Sequence, residues 1–210
     1  MSDPVLRARG VARRFGSQVA LEPTDVDVEA SEALALIGPN GAGKSTLLAL
    51  LAGALQPSAG AIERVGDVRV GWVPQRAAFY DRLTARENLE LFARLEEEPD
   101  HAAVAAQLLA RFEIPADRPA HTLSVGNRQR LNVALALLGA PRVLLLDEPT
   151  ASLDPGQRRR LWEIVAEVRD GGGAVVFVTQ NLEELDRHAD RVVAMQQGRL
   201  APAGAEEVFS

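Results

Sequence analysis

An unbroken apolar run, Ala33-Leu34-Ala35-Leu36-Ile37, leads directly into Gly38-Pro39-Asn40-Gly41-Ala42-Gly43-Lys44-Ser45. The second stretch has the form G-x-x-x-x-G-K-[ST]. Its glycines let successive backbone N–H groups turn inward around phosphate oxygens. Leucines at helical spacing follow over Lys44–Ala54, and Gly53 marks the stop. Strand, glycine loop and helix in that order build a phosphate site on a helix N-terminus, where the helix adds its partial positive charge. Gly38, Pro39, Asn40, Gly41, Ala42 and Gly43 then form the cradle. Lys44 reaches the β- and γ-phosphates, the Ser45 hydroxyl ligates Mg²⁺, and Thr46 donates to the α-phosphate. Lys44 is also the only lysine among 23 Lys and Arg residues. Arginine serves every other basic position, so position 44 calls for a compact ammonium.

A second motif answers the first. Val143-Leu144-Leu145-Leu146 is another apolar strand, ending in Asp147-Glu148. An Asp there can hold the Mg²⁺ beside the loop. The Glu that follows can orient and deprotonate a water for in-line attack on the γ-phosphate. Together the motifs define a nucleoside triphosphatase or kinase without choosing between them.

The rest of the chain alternates between strand and helix patterns. Val5–Phe15, Thr24–Glu29, Val68–Val73, Ala174–Thr179 and Arg191–Met195 read as further strands, and Pro155–Arg169 and Leu182–His188 as helices. Thr84–Glu97, His101–Phe112 and Ser124–Leu138 are helical with prolines between them, and Thr84 with Glu87 fits a capping box. The fold class is α/β with a parallel, covered sheet. Residues 1–210 are expected to form one domain, with a helical lobe at roughly 76–140 inserted in it. There are no cysteines, which excludes disulfides, thiolate metal sites and a cysteine nucleophile. A net charge of −6 argues against a nucleic-acid partner. The longest apolar runs, Leu47–Leu55 and Leu131–Gly139, are half of what a bilayer span needs. No secretory leader is visible at the start. Arg158-Arg159-Arg160 reads as a solvated helix face, and His121 and His188 as surface or capping groups.

Leu123-Ser124-Val125-Gly126-Asn127 resembles the LSGGQ signature of the ATP-binding cassette (ABC) ATPases and lies at the family's short spacing before Asp147. Gln75 after Pro74 resembles the family's Q-loop, and Ala151-Ser152-Leu153-Asp154 its D-loop. Phe15 in Arg14-Phe15-Gly16 matches the aromatic that stacks on adenine. The resemblance covers nearly the whole chain. It implies a RecA-like P-loop core, an N-terminal antiparallel β lobe and an inserted helical lobe. It also implies that two cassettes, in a homodimer or heterodimer, sandwich ATP between the phosphate loop of one and Ser124 and Gly126 of the other. Glu148, the residue at 180 and Lys44 would be catalytic. Gln75 would join Ser45 and Asp147 at the metal and report the γ-phosphate to an integral membrane permease. The implied location is cytoplasmic, peripheral on the inner face of the cell membrane. The short cassette is similar to exporter ATPases of the ABC-2 type.

Three positions depart from the family pattern. Val125 and Asn127 replace a Gly and a Gln of the signature, and Gln180 stands where the family has its switch histidine. Gln180 can donate an N–H to a γ-phosphate oxygen but carries neither charge nor proton. With Glu148 intact, an active and slower ATPase is expected. The rival readings are a non-transport ABC ATPase and a weakly hydrolysing, ATP-dependent dimerisation switch.

Overall fold

The computed structural model describes residues 3–201; the two ends of the expected 1–210 span lie outside them. Two sheets organise the chain. The first is antiparallel, in the order β2-β1-β4, and joins β1 (Pro4–Phe15), β2 (Gln18–Glu29) and β4 (Ala59–Arg64). The second joins β3 (Ala33–Ile37), β5 (Val70–Val73), β6 (Val143–Asp147), β7 (Ala174–Val178), β8 (Arg191–Gln196) and β9 (Arg199–Ala201) in the order β5-β6-β7-β3-β8-β9. All its pairings are parallel except β8 with β9.

β3, β6 and β7 are buried at every residue, and the pleat explains why β3 and β7 are unbroken apolar runs and β6 is one up to Asp147 at its end. Ala33, Ala35, Ile37, Leu144, Leu146, Val175 and Phe177 point into one core, shared with the helices. Leu34, Leu36, Val143, Leu145, Val176 and Val178 point into the other, shared with the antiparallel sheet and α1 (Lys44–Ala52). A sheet with apolar cover on both faces has no position for a polar residue until its strands end.

Between β5 and β6 the chain forms α2 (Ala85–Leu95), α3 (His101–Arg111) and α4 (Val125–Ala136). Thr84 caps α2 through the expected box with Glu87. α5 (Pro155–Asp170) and α6 (Leu182–His188) complete the order. β2 starts at Gln18, before the expected Thr24, because Gly16, at φ 59, turns β1 straight back into it. β4 has no counterpart in the sequence reading: five of its six residues are exposed, so its sequence, AGAIER, carries no buried face.

His188 departs from its expected role. It is half-buried, and its ring stacks on Trp162 at 4.1 Å and 7°. The arginine run is also less uniform than expected. Arg160 pairs with Glu113 at 2.8 Å, and Arg158 Nε donates to Leu153 O.

Candidate nucleotide site

In an open parallel sheet, ligands gather where the carboxyl ends of the strands point. Here the ends of β3, β5, β6 and β7 bring the phosphate loop, Gln75, Asp147-Glu148 and Gln180 to one side of the sheet. A cleft of about 480 Å³ lies there. It is lined by Phe15, Asn40, Gly41, Ala42, Gly43, Lys44, Ser45, Thr46, Gln75, Glu148 and Gln180, joined by Gln18, Val19 and Ala20 from the β1–β2 turn.

Two glycines are required by backbone packing. Gly38 has φ 141, and a Cβ on it would come to 2.1 Å from Met195 O. Gly43 has φ 102, and a Cβ there would meet Ala20 O at 2.7 Å. Lys44 is 6% exposed, and its Nζ donates to Gly38 O at 2.6 Å and Pro39 O at 3.0 Å. Burial pulls its pKa below the ordinary lysine value, while Glu148 and Asp147 oppose that shift.

Asp147 is also buried, and desolvation raises its pKa; the Ser45 hydroxyl bonded to it works the other way. A buried carboxylate beside a hydroxyl, both hard oxygen donors, fits a divalent cation. Among the described residues no cluster of three or more His, Asp or Glu side chains could form a protein-only metal cage. The cation that fits here would share its ligation with phosphate oxygens. Gln75 aims its amide N–H at Glu148, so Oε1 is the only atom it could offer a metal.

Glu148 sits at φ 48, a left-handed backbone that non-glycine residues adopt at a cost of about 1–3 kcal/mol. Its N–H donates to Val178 O at 3.1 Å, tying the end of β6 to β7. Both its carboxylate oxygens are engaged by amides: Gln180 Nε2 donates to Oε1 at 2.8 Å and Gln75 Nε2 to Oε2 at 3.3 Å. Asn132, buried in α4, donates to Pro74 O at 3.1 Å and fixes the strand end that carries Gln75. Neither the strain at Glu148 nor the part played by Asn132 has a signal in the sequence.

Phe15 is 45% exposed, so the plain core role open to a strand-end aromatic is not its role. It lines the cleft, while the Arg13 guanidinium lies 4.6 Å from its ring centre. Arg13 does not line the cleft, and its Nη1 donates to Gln56 O at 2.7 Å.

Ser124 and Gly126 lie apart: neither lines this cleft. Ser124 caps α4, its Oγ accepting from Asn127 N–H at 3.2 Å. Gly126 has an ordinary helical backbone, and a Cβ there would meet only the flexible end of Gln157, whose Oε1 lies 2.9 Å away. Val125 takes no positive φ, as expected, and is 54% exposed. The Asn127 side-chain Oδ1 accepts from Arg130. Asp154 caps α5 in a box with Gln157.

Fold and cleft define a P-loop nucleoside triphosphatase. The family model described as "ABC transporter" matches residues 21–151. The chain is 38% identical over 222 residues to the daunorubicin resistance ATP-binding protein DrrA3 of Streptomyces coeruleorubidus, covering 99% of this chain and 70% of that protein. It is 34% identical over 218 residues to the Nod factor export ATP-binding protein I of Ralstonia nicotianae, covering 97% and 68%. A solved ATP-binding subunit of an ABC transporter superposes with a TM-score of 0.83 at 29% identity, covering 94% of this chain and 88% of that one. A dimeric cassette solved in a post-hydrolysis state with ADP and Pi matches in fold, with a TM-score of 0.83 at 24% identity, covering 94% and 97%. The chain belongs to the ABC transporter family: it is an ATP-binding cassette, the nucleotide-binding subunit, and an ATP hydrolase.

Proposed function

We propose that this cassette powers an exporter of the ABC-2 type, docked on an integral membrane permease at the cytoplasmic face of the cell membrane. Two similar proteins, named for daunorubicin resistance and Nod factor export, support that direction. No helix among the described residues is long and apolar enough to cross a membrane; in this reading the permease supplies the path for the cargo.

In this reading the backbone N–H groups of Gly38–Thr46 receive the phosphates, with Lys44 on the β- and γ-oxygens and Phe15 against adenine. Ser45 and Asp147 would hold Mg²⁺, which would neutralise phosphate charge when bound. Glu148 takes a proton from the attacking water as its oxygen bonds to the γ-phosphorus and the bond to the ADP oxygen breaks, giving ADP and phosphate. Gln180 and Gln75 aim that carboxylate. Gln180 also faces the γ-phosphate, in the place of an imidazole. Ser124 and Gly126 close over the ATP of a second cassette, identical or not, and the permease senses the closure.

The observation that carries this reading is the convergence of Lys44, Glu148 and Gln180 on one cleft at the strand ends. Lys44→Ala removes the one cation among the described residues that line the cleft. Calorimetry should show nucleotide binding lost or weakened at least tenfold, with turnover abolished. Unchanged affinity and turnover would overturn the assignment.

A further inference from the structure

Gln180 Nε2 carries two N–H bonds, and the structure uses both. One goes to Glu148 Oε1 at 2.8 Å, the other to Asn40 Oδ1 at 3.3 Å across 140 residues of chain. Asn40 belongs to the phosphate loop, is exposed, and does not have a positive φ. The hydrogen bond of its side chain goes to Gln180 and not to the loop itself. Lys44 shows the same pattern, with its ammonium on two loop carbonyls. The donors of the site are held by the site's own acceptors.

We propose that the Asn40 side chain is a positioning residue that stands in for the γ-phosphate. It holds Gln180 when the cleft contains no nucleotide or ADP, and yields Gln180 when a γ-phosphate arrives. This rests on the reading that Gln180 faces the γ-phosphate. A neutral amide has only two protons to share. One stays on Glu148, so a γ-phosphate oxygen and Asn40 Oδ1 compete for the other. The contest favours phosphate, because a bond to a charged acceptor is the stronger one. Asn40 still reduces the gain: binding a triphosphate breaks the Asn40 bond, and binding a diphosphate does not. It thus sets how sharply the cassette tells ATP from ADP. It also keeps the Gln180–Glu148 pair in register after phosphate leaves.

A double-mutant cycle tests this. Calorimetry on the full chain with Mg²⁺ gives affinities for ADP and for the non-hydrolysable triphosphate AMP-PNP. The readout is the ratio of the two. Asn40→Ala should raise the preference for AMP-PNP about two- to tenfold, the worth of one neutral hydrogen bond. In a Gln180→Ala background the same change should leave the preference unmoved. No rise, or an equal rise in both backgrounds, overturns the proposal. The prior reading is checked separately. In the Asn40→Ala background, Gln180→Ala must lower the AMP-PNP preference. If it does not, Gln180 never reaches the γ-phosphate and both readings fall. If it does while Asn40→Ala alone changes nothing, only the role of Asn40 is lost. Unchanged thermal midpoints for the variants establish that the fold is intact.

Discussion

Phe15 owes its pose to Arg13. An aromatic ring 45% exposed on a hairpin would sample several rotamers, but the Arg13 guanidinium lies over it and is itself tethered to Gln56 O. A cation–π contact of this kind is worth about 0.5–1 kcal/mol at exposed sites. Arg13→Leu should therefore raise KM for ATP roughly two- to fivefold and leave kcat unchanged, because the contact is the same in ground and transition states. Steady-state ATPase assays decide it; a fall in kcat at constant KM would mean that Arg13 acts elsewhere. Gln180 calls for the opposite signature. Losing a well-aimed donor at developing charge costs about 10²–10³ in rate. Gln180 already donates to Glu148, so Gln180→His should give only a several-fold rise in turnover with little change in ATP affinity. If Gln180→Ala kept the native rate, position 180 would have no part in the reaction. Both residues were legible as positions on the cleft, Phe15 because it closes a strand and Gln180 because it comes just after one. Their partners were not. Arg13 is one arginine among 22, and Asn40 meets Gln180 only through the fold.

α5 is tied to the signature helix at its start and to α6 along its side. Asp154 and Gln157 form its capping box, and Gln157 packs on Gly126. Asp154→Ala should cost about 1 kcal/mol, seen as a lower urea midpoint at unchanged m-value. Further along, Trp162 lies edge-on to Phe177 at 5.0 Å and face-on to His188. Burial there lowers the His188 pKa; Glu184 opposes that shift, and Arg187 and Arg169 reinforce it. The folded state thus prefers neutral imidazole, while the unfolded chain takes up its proton near the ordinary value of 6.5. Stability from this contact is fully present above that pH and declines as pH falls toward the folded pKa. Replacing the group with Phe, in His188→Phe, should flatten the loss of Tm between about pH 7.5 and about pH 5.5. An identical loss in the variant would assign the pH dependence to other groups. Elements with two buried faces were readable from composition: β3 and β7 are apolar throughout, and β6 is apolar up to Asp147 at its end. β4 was not, since register with β1 and not burial makes it a strand. His188 was misread because a lone histidine near a helix end carries no mark of the tryptophan it covers.

At the scale of the whole molecule, the cleft and the signature segment lie apart, as the proposed two-cassette site requires. Glu148 and Lys44 line the cleft, whereas Ser124 and Gly126 do not, and Val125 beside them is 54% exposed. An exposed apolar residue at a capped helix start is poorly placed for a monomer and well placed for closing on another cassette's nucleotide. Ser124 Oγ accepts from Asn127 N–H, which leaves the hydroxyl proton free to donate to a phosphate oxygen. Closure should then last only as long as the γ-phosphate does. Glu148→Gln removes the base while keeping one amide oxygen for Gln180 or Gln75 to hold. The variant should bind ATP, fail to turn it over, and run as a dimer on size-exclusion chromatography with Mg²⁺ and ATP, against a mostly monomeric native chain. Adding Ser124→Arg, which fills the place the phosphate needs, should return it to monomer without loss of ATP binding to the cleft. If Glu148→Gln stays monomeric at saturating ATP, with the permease present as well, then this cassette does not pair with itself. Its signature would then serve the ATP of a different cassette, and the half-site at Ser124 would have to be complemented by mixing the chain with that partner.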